Sequence, residues 1–342
     1  MYSFINDYSE GAHPRILHAM MKANLEQNDG YGEDIHSAAA KEYIKKLIHK
    51  KDVDIHFIPG GTQANVVVIS SFLRPHECVV TADTGHINVH ETGAVEATGH
   101  KIIALPHVDG KLTPAEIMKT LEYHADEHMV KPKMIYLSDS TELGTVYTKE
   151  ELTAIHDLCK ERNLYLFLDG ARIGSAMTSK ANNLILAEIA KLVDVFYIGG
   201  TKNGALLGEA LVICRNELKE DFRYLIKHRG AMMAKGFVIG IQFEELFRDN
   251  LYFELAEHAN KMASIIADTL TACGYPFYAT PGSNQLFPIL ADQTIQKMSA
   301  DFKFLVMKKL EDGRSVVRFV TSWATKEESV EKLCEFFHGI KA

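Results

Sequence analysis

Seven short apolar runs, most of them separated by amphipathic stretches, limit what this chain can fold into more than any other feature. They are Val53–Phe57, Cys78–Thr81, Lys101–Leu105, Met134–Leu137, Tyr165–Leu168, Val193–Ile198 and Ala210–Cys214. Helical periodicity marks His36–His49, Thr62–Phe72, Thr113–Glu122 and Lys149–Glu161 between them. Strand and helix in alternation predict an α/β fold, with a mostly parallel seven-stranded sheet lying between helices. Val193–Ile198 reads as apolar on both faces, as a sheet covered on both sides requires.

Beyond Cys214 the pattern changes. Glu217–Lys227, Lys235–Phe247 and Tyr252–Ala272 read as helices, the last closed by Gly274 and Pro276. Short strands follow at Leu286–Leu290 and Val316–Val320, then a helix at Lys326–Phe337. A chain of 342 residues has room for two domains. The expected division is an N-terminal arm over 1–12, a large domain over 13–249 and a smaller α+β domain over 250–342.

The balance of 37 basic against 45 acidic residues gives a net charge of −8. Phosphate-rich partners need a basic surface, so neither nucleic acid nor an anionic membrane is expected as a partner. No apolar run approaches the ~18 residues of a membrane span. Met1–Asp7 lacks the basic and apolar segments of a signal peptide, and the five cysteines are scattered, so a reduced, cytoplasmic protein is expected.

Four features stand out, the first three where loops leave strand ends, the usual ligand position in α/β folds. Pro59-Gly60-Gly61-Thr62 opens a helix whose free amides suit a phosphate, although a plain strand-to-helix turn explains it equally well. Asp169 ends a buried strand in Asp169-Gly170-Ala171-Arg172, where a carboxylate needs a cation unless it serves only as a helix cap. Lys202 follows the strongest apolar strand among small residues, in Gly200-Thr201-Lys202-Asn203-Gly204; a desolvated lysine there is a nucleophile toward aldehydes, while a surface turn is the plain alternative. Arg318 lies inside an apolar strand of the small domain and calls for a carboxylate, from a substrate or from within the chain. A glycine-rich helix start, a strand-end aspartate and a lysine 33 residues further on, in that order, fit pyridoxal 5'-phosphate (PLP). The first would hold its phosphate, the second its pyridine nitrogen and the third its aldehyde.

With Tyr31-Gly32-Glu33-Asp34, Gly60-Gly61-Thr62, His86-Ile87, Asp169-Gly170-Ala171-Arg172, Thr201-Lys202 and Arg318-Phe319-Val320-Thr321, the chain resembles the threonine aldolase and β-eliminating lyase family of fold-type-I PLP enzymes along nearly its full length. Ser138–Thr145, Gly200–Gly204 and Val316–Thr325 most resemble the phenylserine-aldolase-like branch. The resemblance implies a PLP-dependent transferase-like fold and retro-aldol cleavage of a β-hydroxy-α-amino acid to glycine and an aldehyde. It assigns the Schiff base to Lys202, the pyridine nitrogen to Asp169, ring stacking and proton transfer to His86, and the phosphate to Gly61, Thr62 and Thr201. Arg172 and Arg318 would bind the substrate α-carboxylate, with Arg172 also at the cofactor and Tyr31 also at the substrate. The family is a dimer of dimers with sites at subunit boundaries, so a homodimer or homotetramer is expected. Lys235 lies near the arginine that the family lends to the neighbour's phosphate. Asn6-Asp7-Tyr8 stands where the family has Ser-Asp-Thr, so Asn6 takes the place of a serine that contacts the carboxylate. The family histidine after Met134–Leu137 has no counterpart; Ser140 and Thr141 stand there in a shortened loop.

Two other chemistries stay open. One is β-elimination, or another amino-acid reaction, on the same cofactor. The other is a metal-dependent hydrolase built on the i, i+4 pair His86 and His90, although the His-Glu-x-x-His order is missing and no metal is expected.

Overall fold

A computed structural model describes residues 1–340. All seven apolar runs become strands of one sheet. From edge to edge the order is Asp54–Ile58, Glu209–Ile213, Val195–Gly199, Tyr165–Asp169, Lys131–Ser138, Glu77–Ala82 and Ile102–Leu105. Every neighbouring pair is parallel except those made by Glu209–Ile213, which runs antiparallel to both its neighbours. Alternation along the strands separates two cores. Ile135, Leu137, Leu166, Leu168, Phe196 and Ile198 point to one side, and Met134, Tyr136, Phe167, Val195 and Tyr197 to the other.

Local chemistry sets where the covering helices begin. Thr148 and Glu151 form a reciprocal cap at Lys149–Glu161, and Asp34 accepts the Ser37 N–H at 2.8 Å to open Ile35–Leu47. The helix read over Glu217–Lys227 is divided in two. A short turn at Asn216–Leu218 is followed by Phe222–His228, and Asp221 between them takes a left-handed φ of 56°, which no continuous helix permits.

A third core joins Met262, Ile266, Leu270, Leu286, Leu290, Val317, Phe319, Leu333 and Phe337. The helix Leu251–Ala272 supplies Leu251, Tyr252 and Leu255 to the large core and its later turns to this one. The run Leu286–Leu290 splits into Gln285–Leu286 and Ile289–Ala291, because Pro288 has no N–H to continue the ladder. Both pieces pair antiparallel with Arg314–Val320. The expected irregular arm is partly regular: Tyr2–Ser3 lies parallel to Phe302–Lys303, and Phe4 is fully buried in the third core. Residues 341–342, within the expected small domain, lie outside the described ones.

Candidate active site

The parallel strands end along one edge, and the loops leaving them enclose a cavity of about 310 Å³. Gly61, Thr62, His86, Glu142, Asp169, Arg172, Thr201 and Lys202 all face it. Residues far apart in sequence meet there because each follows a strand of the same sheet.

Asp169 is buried at the last position of its strand. It accepts hydrogen bonds from Tyr136 Oη, from Asn65 Nδ2 at 3.3 Å and from the Ala171 N–H at 2.9 Å. Burial works against its charge, yet nearby His86 and the donors Tyr136, Tyr197 and Ala171 outweigh it and hold the carboxyl below its ordinary range. Asp169 is therefore a buried carboxylate that forms no ion pair among the described residues. A protonated ring nitrogen would supply the missing cation.

Lys202 sits in the loop between the strands Val195–Gly199 and Glu209–Ile213. Burial, with the Arg172 charge nearby, pushes its amine below the usual lysine range, which favours a nucleophilic neutral form. Beside it Thr201 Oγ1 donates to Glu209 Oε1 at 2.9 Å, and the Gly200 N–H donates to Glu209 Oε2 at 3.0 Å. Burial pushes the Glu209 carboxyl up to about 8.

The helix Gly61–Phe72 begins at Gly60 without a side-chain cap, so its first amides remain for a ligand. A Cβ on Gly60 would enter open space, whereas one on Gly61 would come within 3.1 Å of Tyr197 Oη. An uncapped helix start, a partly desolvated lysine and an unpaired buried carboxylate are the donor set that PLP requires.

His86 starts a short helix on the next loop. Its Nδ1 meets Glu91 Oε1 at 2.8 Å, and the same oxygen accepts Asn65 Nδ2 at 2.7 Å. The ring orientation is thus fixed from behind. His90 is exposed, with its ring centroid 5.4 Å from that of His86. Among the described residues no group of three His, Cys, Asp or Glu is placed to hold a metal.

Of the two arginines, Arg172 is already partnered. Its Nε and Nη2 donate to Asp7 at 2.7 and 3.1 Å, and Asn284 Nδ2 completes the Asp7 carboxylate at 2.9 Å. Arg172 therefore faces the cavity with only its remaining N–H groups. Arg318 forms no ion pair among the described residues: Nη2 donates to the Ile5 carbonyl at 3.1 Å, and the buried Nε has no partner. Burial and the nearby Arg172 charge both disfavour its own charge. Two close guanidiniums, one short of acceptors, make a receptor for an anion.

Arg318 lies near Arg172 and Tyr8 but is not among the residues lining the cavity, and three further expected residues lie elsewhere. Asn6 Oδ1 accepts the Tyr8 N–H at 3.0 Å and Ser9 Oγ at 2.9 Å, so it closes a turn of the arm and does not face the cavity. Tyr8, two residues on, lines the cavity instead. Tyr31 is 46% exposed beneath Lys227, whose Nζ lies 4.6 Å from its ring centroid. Exposed Lys235 is next in sequence to Ala234, whose carbonyl accepts the Tyr31 N–H at 3.1 Å. Neither is among the residues that line this cavity. Asp7, Glu142 and Glu209 are functional candidates that sequence reading missed. Only the Asp7 and Glu142 carboxylates had a signal, each lying in a motif already singled out.

A family model described as β-eliminating lyase matches residues 5–293. A low specificity L-threonine aldolase of Pseudomonas aeruginosa is 31% identical over 341 residues, covering 96% of this chain and 95% of that protein. A solved threonine aldolase structure from Leishmania major superposes with a TM-score of 0.98 at 50% identity, covering 100% of both chains. An aspartate aminotransferase of Thermus thermophilus shares the fold, with a TM-score of 0.74 at 15% identity, covering 98% of this chain and 91% of that one.

Proposed function

This chain belongs to the β-eliminating lyase family, and from that premise we propose that it cleaves a β-hydroxy-α-amino acid, of the threonine, allo-threonine or phenylserine type, into glycine and an aldehyde. The observation that carries this reading is the facing of Lys202 and Asp169 across one cavity, the amine partly desolvated and the buried carboxylate without a cation.

PLP is the cofactor this site fits. When bound, it supplies a sink for the electron pair left on Cα. Lys202 would hold its aldehyde carbon and Asp169 its ring N–H. The amides at Gly61 and Thr62, with the Thr201 hydroxyl, would hold its phosphate. His86, braced by Glu91, would cover the ring. Arg318 and the free edge of Arg172 would fix the substrate carboxylate and so orient the bond to be broken. Asp7 acts one step back, by holding Arg172 from the side away from the substrate.

Tyr31 and Lys235 enter this reading only in an assembly, lent to the cavity of a second copy. A homodimer or homotetramer is supported by apolar side chains left on one surface. Met21 is 79%, Leu25 91%, Ile35 72% and Tyr224 76% exposed. The Glu26–His36 contact at 2.8 Å joins the segments that carry the first three. A cytoplasmic setting is supported by five free cysteines. Among the described residues no helix is long and apolar enough to cross a membrane.

The test is product identity with purified protein and added PLP. Threonine and phenylserine should yield glycine with acetaldehyde and benzaldehyde. Lys202→Ala should abolish both the visible absorption and turnover. The family model's own description favours β-elimination as the second reading. A 2-oxo acid and ammonia in place of glycine, 2-oxobutyrate from threonine and phenylpyruvate from phenylserine, would establish it.

A further inference from the structure

The proposed cleavage removes a proton from the substrate's β-hydroxyl; the family resemblance gives that transfer to His86, but its Nδ1 is engaged by Glu91 at 2.8 Å and its ring is assigned to cover the cofactor. Glu142, in the loop after Lys131–Ser138, has the geometry for it. Ser138 Oγ donates to Glu142 Oε1 at 2.6 Å, and the His86 N–H donates to the same oxygen at 2.8 Å. Both donors fix the carboxylate from one side. Oε2 takes no hydrogen bond among the described residues and is not sealed off, so it opens onto the cavity that Glu142 lines. Two residues away, Ser140 Oγ is buried at the same cavity without a partner. A free acceptor and a free hydroxyl lining one cavity are what a substrate hydroxyl needs. Burial also raises the Glu142 carboxyl toward the range in which a general base works best.

We propose that Glu142 is the catalytic base that takes the β-hydroxyl proton, with Ser140 hydrogen-bonded to the same substrate oxygen. The inference rests on the retro-aldol reading. The O–H bond breaks and its proton passes to Glu142 Oε2. The freed pair forms the second bond of the aldehyde C=O. The Cα–Cβ bond breaks, and its pair stays on Cα, which takes up one proton to become glycine. Glu142 returns its proton to solvent, so atoms and charge balance.

The rival role is mechanical, since Glu142 also caps the His86 helix. Glu142→Gln separates the two, because the amide oxygen still accepts from Ser138 and His86 but cannot take a proton. Exchange of glycine's α-proton with deuterated solvent uses the cofactor, Lys202 and the carboxylate site but involves no β-hydroxyl. In the holoenzyme, E142Q should lower kcat/KM for phenylserine by about 10²–10⁴-fold. Glycine exchange, the visible spectrum and the apoprotein Tm should all stay at wild-type values. Glu142→Ala should recover at least tenfold in cleavage when formate is added, and this arm stands even if E142Q fails to fold. Near-wild-type cleavage by E142Q overturns the proposal, as does equal loss of cleavage and exchange, or absence of formate rescue. Wild-type enzyme that exchanges glycine but cleaves neither threonine nor phenylserine would instead refute the retro-aldol reading, before any variant is made.

Discussion

At Arg318 a guanidinium is held with one buried nitrogen unpaired and a like charge nearby. A substrate carboxylate would relieve both, and a charge-assisted pair of this kind contributes roughly 1.5–3 kcal/mol. Arg318→Ala should therefore keep its visible colour and lose about tenfold to a few hundredfold in kcat/KM for both substrates, at ~1.4 kcal/mol per tenfold. Arg318→Lys should recover only part, because an ammonium cannot form the bidentate fork. Steady-state kinetics with both variants check this, and a colourless Arg318→Ala protein would show a structural role instead. Lys202, Asp169, Thr62 and His86 were legible in the sequence because each follows a strand end, where flanking residues announce the position. The Arg172 partner was not, because Asp7 lies 165 positions away and nothing local marks the pair. Asn6 went astray for a related reason: a side chain that can close its own turn does so, and this leaves Tyr8 at the cavity.

Among the elements, the arm does most that composition hides. Tyr2–Ser3 continues a strand pairing, Phe4 fills the third core, the Ile5 carbonyl receives Arg318 and Asp7 grips Arg172. Four successive functions thus depend on one anchor. Phe4→Ala should cost about 3–5 kcal/mol of stability, the usual range for deleting a buried phenylalanine. Because Ile5 would lose its fixed position, KM should rise more than kcat falls. Denaturant unfolding paired with kinetics would check both, and a stable variant with unchanged KM would contradict the anchoring role. All seven large strands could be read because each is a dense apolar run. The helix Pro14–Ala23 could not, since several of its apolar residues, Leu17 and Met21 among them, stay on the surface and blur the periodicity. The break at Pro288 was visible in principle, because proline cannot donate within a ladder.

Over the whole molecule, charge is stored unevenly against pH. Asp139 is buried, and burial raises its carboxyl to about 7 from an ordinary 3.8. Between those values the folded state holds a proton that the unfolded chain has released. Stability from this group is present below about pH 4 and is lost as pH rises through about 7, at no more than ~1.4 kcal/mol per pH unit. Asp7 and Asp169 act in the opposite sense, since their depressed values withdraw stability only as pH falls below the ordinary carboxylate range. Asp139→Asn should therefore flatten the fall in apoprotein stability between pH 5 and 7, measured by urea unfolding at several pH values; an unchanged slope would remove Asp139 as its source. The pairing of Tyr2–Ser3 with Phe302–Lys303 spans 300 positions, and it also orders events in time. On a ribosome Tyr2–Ser3 has no partner strand until some 300 further residues have been added. The large sheet can close earlier, because its contacts are complete by Ile213. Until the C-terminal strands arrive, Asp7 has no Asn284 to hold it and Arg172 is without its fixed counter-charge. The hydrogen-bonded setting of Arg172 is thus completed only after the large sheet can already have closed.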